Sequence, residues 1–257
     1  MYRSSSPLRS RSQYSATVLL VGLTLLGLLG LPLDVAAQGS PPAPTMAAEE
    51  VAHPFLTHMG LPEGVGVFSL RASGLVTRAD SKTEGDFSFH FETGLTKTIG
   101  LHIRNDAFRT NSHTEVMFQF VAIMSKDGMS GFAPLIEFEF PTRSGAGSRI
   151  ESLIGFTTAL ANSQIAFNQV IHYNPREDAV DGSAALVARV AERFFPVAEI
   201  LGEGGTGAPT VVTLLAGLKV QVREGINLGF ALQFPVSGSQ DFSSRMIVQP
   251  EFEWGKK

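Results

Sequence analysis

The stretch DFSFHFETGL, Asp86 to Leu95, decides the fold. Phe87, Phe89 and Phe91 fall on one face of an extended chain, and Ser88, His90 and Glu92 fall on the other, because successive side chains of a strand point to opposite sides. A strand with three phenylalanines on one face and an imidazole and a carboxylate on the other separates an apolar medium from a wet one. GFAPLIEFEFPT, Gly131 to Thr142, repeats the pattern, with Ile136, Phe138 and Phe140 opposite Glu137 and Glu139. Downstream, Leu214, Ala216, Leu218 and Val220 oppose Lys219 and Gln221. Leu228, Phe230, Leu232 and Phe234 oppose Asn227 and Gln233, and Met246, Val248, Phe252 and Trp254 oppose Arg245, Gln249, Glu251 and Glu253.

Alternation with a period of two runs from Pro62 to Trp254 and is broken by clusters of turn-forming residues. It predicts twelve strands: Val65 to Ala79, Asp86 to Leu95, Thr98 to Phe108, Thr114 to Met124, Gly131 to Thr142, Ile150 to Ala161, Gln164 to Tyr173, Ser183 to Arg193, Pro196 to Glu203, Thr210 to Val222, Ile226 to Val236 and Ser243 to Trp254. Most approach the roughly 9 to 11 residues with which a tilted strand crosses a bilayer. Thr96-Lys97, Asn162-Ser163, Phe194-Phe195 and Arg223 to Gly225 read as tight turns. Ala79 to Gly85, Arg109 to His113, Arg143 to Arg149, Asn174 to Gly182, Gly204 to Pro209 and Ser237 to Phe242 read as longer loops. Short turns at one end and longer loops at the other are the asymmetry of outer-membrane barrels. The fold expected is therefore all-β, an antiparallel up-and-down outer-membrane β-barrel of about 12 strands. A soluble barrel or sandwich with the apolar face inward would have to enclose most of the 19 Phe in one small interior, whereas lipid can cover them.

The residues ahead of the barrel read as export signals. Arg3, Arg9 and Arg11 precede the apolar run Ala16 to Leu31, and Val35-Ala36-Ala37 offers a cleavage site. Residues 1–37 are expected to be a signal peptide, 38–62 a short Pro-rich periplasmic leader with at most one helix turn before Pro54, 63–254 the barrel and 255–257 a C-terminal tail. Of 20 basic and 24 acidic residues, the signal would remove three Arg and Asp34, leaving a net charge of −6. Nucleic acid is an improbable partner for such a chain. The absence of Cys excludes disulfides, thiolate metal sites and a thiol nucleophile. The expected location is the bacterial outer membrane after cleavage near Ala37, with outer-membrane lipid, a small-molecule solute and, during insertion, the barrel assembly machinery as partners.

GLHIRND (Gly100 to Asp106), HTEVMFQF (His113 to Phe120), EFEFPT (Glu137 to Thr142), ERFFPVAEI (Glu192 to Ile200), LLAGLKVQV (Leu214 to Val222) and LGFALQFPV (Leu228 to Val236) resemble the outer-membrane transporter family related to the phenol-degradation meta-pathway protein. The resemblance covers nearly all of Pro62 to Trp254. It implies an outer-membrane barrel with a transport role, and it assigns no functional residues. The chain departs from the usual ending of such barrels in that Gly255-Lys256-Lys257 follows Trp254.

The motifs that suggest other chemistry have simpler readings. Gly202-Glu-Gly-Gly-Thr-Gly207 matches a dinucleotide-binding loop but leads into a strand, where no helix N-terminus can hold a phosphate. His113-Thr114 and His172 beside Tyr173-Asn174 offer the residue types of a hydrolase, with no spacing that unites them. The function expected is a transporter or channel for a small polar or aromatic solute, not an enzyme. The alternatives are a non-conducting structural or metal-binding barrel and, less favoured, an outer-membrane hydrolase. Candidate lumen residues are His90, Glu92, His102, Arg104, Asp106, Glu115, Glu137, Glu139, Lys219 and Arg245.

No cofactor is implied, with a divalent metal as the one exception. A two-residue Thr96-Lys97 turn is expected to bring His90 and His102 together with Glu92, Arg104 and Asp106 nearby, and one added residue would break that register. Arg104 neutralising Glu92 and Asp106 is the rival to metal binding. His53 and His58, with Met59, form a second soft-ligand group, in a leader read as mobile.

Overall fold

The computed structural model describes residues 51–79, 82–105, 113–141, 150–205, 210–237 and 242–255. Thirteen strand segments form one antiparallel sheet: β1 Val67–Ala79, β2 Lys82–Gly94, β3 Ile99–Asn105, β4 His113–Phe120, β5 Ile123–Met124, β6 Gly131–Pro141, β7 Glu151–Ala161, β8 Ile165–Asn174, β9 Ala179–Ala188, β10 Phe194–Gly205, β11 Val211–Arg223, β12 Ile226–Ser237 and β13 Ser244–Gly255. β4 and β5 are two pieces of one wall strand, interrupted at Val121-Ala122, and both pair with β6. The wall is therefore a closed barrel of twelve strands. Each strand pairs with its sequence neighbours, and β1 pairs with β13 from Val67↔Gly255 to Arg78↔Ser244. Closure leaves no unpaired edge.

The two faces fall as the alternation requires. Phe87, Phe120, Ile136, Phe140, Leu218, Phe230, Leu232, Phe234, Met246 and Phe252 are exposed on the outside. Ser88, His90, Glu92, His102, Glu115, Glu137, Lys219, Gln233, Gln249 and Glu251 are buried inside. With one Trp and three Tyr in the chain, phenylalanine supplies much of the outer aromatic rim. Phe68 stacks between Trp254 and Phe91, at ring-centroid distances of 5.9 and 6.2 Å, at the end of the barrel that carries both β1's start and β13's finish.

Four connections differ from the sequence reading. Ala179 to Gly182, expected in a loop, open β9 and pair with Ile171 to Asn174 of β8. Lys82 to Gly85, expected in a loop, continue β2 and pair with Val76 to Ala79 of β1. Their polar composition marks a strand that runs past the apolar belt. Phe194-Phe195, expected as a turn, opens β10, and the turn is Arg189 to Arg193, closed by Val190 N–H to Phe194 O at 3.2 Å. Phe195 is buried inside and Phe194 exposed outside, so the pair alternates as strand residues do. Finally, the β2–β3 connection is one residue longer than two. Leu95 N–H donates to Ile99 O at 2.9 Å, and Glu92 pairs with His102 and His90 with Arg104. This longer register, not the two-residue turn, puts both imidazoles on the inner face. In an antiparallel pair, directly opposed residues share a face, so pairing Leu95 with Thr98 would have set His90 opposite Ile103.

The interior is not empty. Residues 51–64 enter the barrel ahead of β1 without forming a helix. Val51, Ala52, Phe55 and Leu56 pack there into one apolar cluster with Leu75, Val187, Phe195, Val197, Leu215, Ala231 and Ile247. The expectation of a mobile periplasmic leader is corrected for these residues, since His53, Phe55, Thr57 and His58 are all at most 1% exposed. Residues 38–50 lie outside the described residues.

Candidate functional site: a lumen closed by the chain's own segment

A segment without helix or strand must find partners for each buried backbone group, or lose the cost of an unmade hydrogen bond. Here the wall's inward side chains supply them. Glu199 of β10 accepts from the amides of Phe55, Leu56 and Thr57 and from Thr57 Oγ1, the last two at 2.8 and 2.9 Å. Arg71 Nη1 of β1 donates to Pro54 O at 2.8 Å and Thr57 O at 3.2 Å, and Lys219 Nζ of β11 also reaches Pro54 O, at 3.2 Å. Gln249 of β13 donates to Phe55 O and Gln119 of β4 to Met59 O. Gly60 donates to Asn168 Oδ1 of β8 and accepts from Thr157 Oγ1 of β7. Partners on seven strands around the wall place the segment across the lumen.

Steric room for the segment is built into the wall. A Cβ added to Gly217 of β11 or Gly229 of β12 would lie 2.6 Å from the Phe55 ring. The two glycines, with Lys219 Nζ 5.0 Å from the ring centroid, form a slot that holds this phenylalanine.

The charges around the segment are paired. Arg71 bridges Glu92, Lys219 Nζ lies 2.5 Å from Glu251, and Arg104 Nε lies 2.5 Å from Glu115. The expectation that Arg104 would neutralise Glu92 is thus corrected, because Glu92 is held by Arg71 and by His102 Nδ1 at 3.1 Å. Asp106 lies outside the described residues. His90, Glu92, His102, Arg104, Glu115, Glu137, Glu139, Lys219 and Arg245 all project inward. His90, Glu92, His102, Glu115, Glu137 and Lys219 are buried, and Arg104, Glu139 and Arg245 are only partly covered.

The histidines expected in two separate groups converge. His58 sits among His102, His90 and His172, at ring-centroid distances of 5.4, 6.0 and 6.1 Å. Burial pushes the His58 imidazole well below its ordinary range, and the nearby Arg104 guanidinium adds to this, so the ring is neutral. His53 is the opposite case. Burial alone would lower it, but the Glu251 and Glu63 carboxylates, 3.2 and 2.9 Å from its two nitrogens, outweigh that and raise it to about 10. Ser69 Oγ is 3.0 Å from His53 Nδ1, so the trio Ser69, His53 and Glu63 has the residue types of a hydrolase triad. An imidazolium cannot take a serine's proton, and the group is sealed from solvent, which makes it a structural ion cluster.

Toward the end opposite the termini the lumen is lined by acidic side chains. Glu139, Glu151, Asp181 and Glu203 line it on β6, β7, β9 and β10, against Arg104 and Arg245. Asp181, whose side chain is 41% exposed, lies 3.5 Å from His172, whose other nitrogen is 3.6 Å from the buried Glu137.

Sequence reasoning missed the residues that hold the segment: Arg71, Gln119, Thr157, Asn168, Glu199 and Gln249. Their inward position could have been read from strand parity, as for Arg71 between Ser69 and Ser73. Their partners are irregular backbone up to 194 residues away in the chain, which no local pattern reports.

No family model matches the chain, and no curated protein is similar to it. Among solved structures, the KdgM porin superposes with a TM-score of 0.55 at 10% identity, covering 72% of this chain and 98% of that one. The COG4313 outer membrane channel from Pseudomonas putida F1 gives 0.53 at 7% identity, covering 80% and 100%. The NanC porin gives 0.50 at 9% identity, covering 74% and 100%. The chain shares the closed antiparallel β-barrel fold of these porins and channels. At these identities the likeness concerns the fold alone.

Proposed function

We propose that the chain is an outer-membrane channel for a small solute, closed in the conformation described by its own residues 51–62. The observation that carries this reading is the seat of that segment. A barrel needing only a filled interior could use side chains of its own strands, whereas this one reserves a glycine slot, a carboxylate and several amides for a stretch of backbone connected to the wall at one end. Such a segment can leave without disturbing the sheet, exchanging its hydrogen bonds for water.

The acidic mouth favours a neutral or cationic solute. The KdgM porin has been solved in complex with oligogalacturonate, a polyanion. Glu139, Glu151, Asp181 and Glu203 would repel such a ligand here. The resemblance to the transporter family related to the phenol-degradation meta-pathway protein supports a transport role and does not name the solute, which we take to be small and polar or aromatic. The reading includes export by the signal peptide, residence in bacterial outer-membrane lipid and insertion by the barrel assembly machinery. It assigns no covalent chemistry to the lumen. Swelling of liposomes carrying the refolded barrel without residues 38–62 tests it: uptake of small neutral or cationic solutes in preference to oligogalacturonate is expected, and recovery of the native chain as a soluble periplasmic protein would overturn it.

A further inference from the structure

We propose that His58 of the lumen segment, Glu92 of β2 and His102 of β3 form a binding site for a divalent transition-metal ion of the zinc class, which pins the segment to the wall. The site depends on the segment's seat and not on whether the barrel conducts.

The first observation is His58 itself. It is buried, and neither ring nitrogen has a hydrogen-bond partner among the described residues. A neutral imidazole carries one donor and one acceptor, so both are left unmade in the interior, where such a deficit is ordinarily avoided. The second is convergence. One ligand atom each from His58, Glu92 and His102 lies within 4.8 Å of the others. Atoms bound to one tetrahedral zinc at about 2.0 to 2.2 Å lie about 3.3 to 3.6 Å apart, so side-chain shifts of about 1 Å close the set.

The third observation fixes the orientation of His102. The Gln119 amide nitrogen donates to Met59 O at 2.8 Å and Thr157 Oγ1 at 3.0 Å, which turns its oxygen toward His102 Nε2 at 2.6 Å. Nε2 then carries the proton that Gln119 accepts, and Nδ1 faces Glu92. An unprotonated nitrogen beside a carboxylate repels it unless a positive charge lies between them. An outer hydrogen bond to the far nitrogen of a ligating histidine is also how metal sites set the tautomer. Arg71 occupies Glu92 Oε1, and Glu92 Oε2 has no hydrogen-bond partner. Two imidazoles and a carboxylate suit zinc, with a fourth position for water or for Glu137, whose Oε2 likewise lacks a hydrogen-bond partner and which lies within reach of His58.

The rival is a proton on His102 Nδ1, which would pair it with Glu92 and leave His58 as filler. Titrating Co2+ into the chelator-stripped full chain in detergent separates the two. The proposal expects one tetrahedral Co2+ spectrum per chain, displaced by Zn2+, and an affinity reduced tenfold or more in both His58→Gln and His102→Gln. It expects the same affinity in His113→Gln at the start of β4. No spectrum in the wild type, or equal affinities in all four proteins, would overturn it, as would a loss confined to His113→Gln. Should the His58 or His102 variants fail to show heat-modifiable gel mobility, anomalous scattering from Zn2+-soaked wild-type crystals replaces them. A peak between His58, Glu92 and His102 supports the site, and a peak elsewhere or none overturns it.

Discussion

Glu199→Gln should release the lumen segment while leaving the barrel intact. Both Glu199 oxygens are used: one takes the Phe55 amide, and the other takes the Leu56 and Thr57 amides and the Thr57 hydroxyl. The amide variant keeps one acceptor oxygen and points an N–H₂ at groups that are themselves donors. With its oxygen where Oε2 stands, the variant loses the Phe55 bond, with a net value of about 1.5 to 3 kcal/mol to a charged acceptor, and turns the three remaining bonds from charged to neutral, at about 0.5 kcal/mol each. Taking the low end gives about 3 kcal/mol, or roughly 100-fold in the equilibrium between seated and released segment. Because the chain has no Cys, Ala52→Cys introduces a unique thiol at a position buried beside Leu75 and Leu215. Maleimide labelling of this thiol should be about 100-fold faster in the Glu199→Gln background. Heat-modifiable gel mobility reports that the barrel is intact. Labelling rates within twofold of each other, in two intact barrels, would refute the assignment of Glu199 as the anchor.

Three further outcomes follow from the same geometry. Gly229→Ala places a Cβ 2.6 Å from the Phe55 ring and should displace the segment, seen as faster labelling of the same thiol; an unchanged rate would mean the slot is not specific. Phe138→Arg on the outer face of β6 should destabilise the barrel in bilayers by about 2 to 4 kcal/mol if it lies near the midplane, whereas Glu137→Gln one residue away should leave the unfolding midpoint nearly unchanged; the reverse order would invert the assignment of the faces. His53 gains its partners in the folded state, and its value rises to about 10. Its contribution to segment retention is therefore complete below its unfolded value near 6.5 and is lost as pH rises through about 10. Labelling by a reagent insensitive to pH should accelerate there, and the acceleration attributable to this group should vanish in His53→Gln.

The barrel was legible because lipid-facing strands obey a strict rule: every second residue meets an apolar medium, and DFSFHFETGL or EFEFPT admits few other readings. The boundaries were less so. Lys82 to Gly85 are polar because that end of the hairpin extends beyond the apolar belt, and polarity there looks the same as a loop. Arg189 to Arg193 turns without Gly, Pro or Asn, so the two phenylalanines that follow drew the turn onto themselves. Parity sets which of the described side chains face inward, but not which of them meet. Arg104 pairs with Glu115 rather than Glu92 because the β3–β4 register sets it directly opposite Glu115, whereas across β2–β3 it faces His90. The segment that closes the lumen has no periodicity at all. Its order comes from side chains of seven strands scattered over the whole sequence, and the information for it is in the wall and not in residues 51–64.

The central claim, a channel closed by its own segment, is tested most directly by planar-bilayer conductance of the chain beginning at Gln38 beside a variant lacking residues 38–62, both shown to be heat-modifiable barrels. Closed or briefly opening records from the first, and a sustained, larger conductance with cation preference from the second, are the expected result. Two equally silent barrels would contradict the account, and so would two with the same steady conductance.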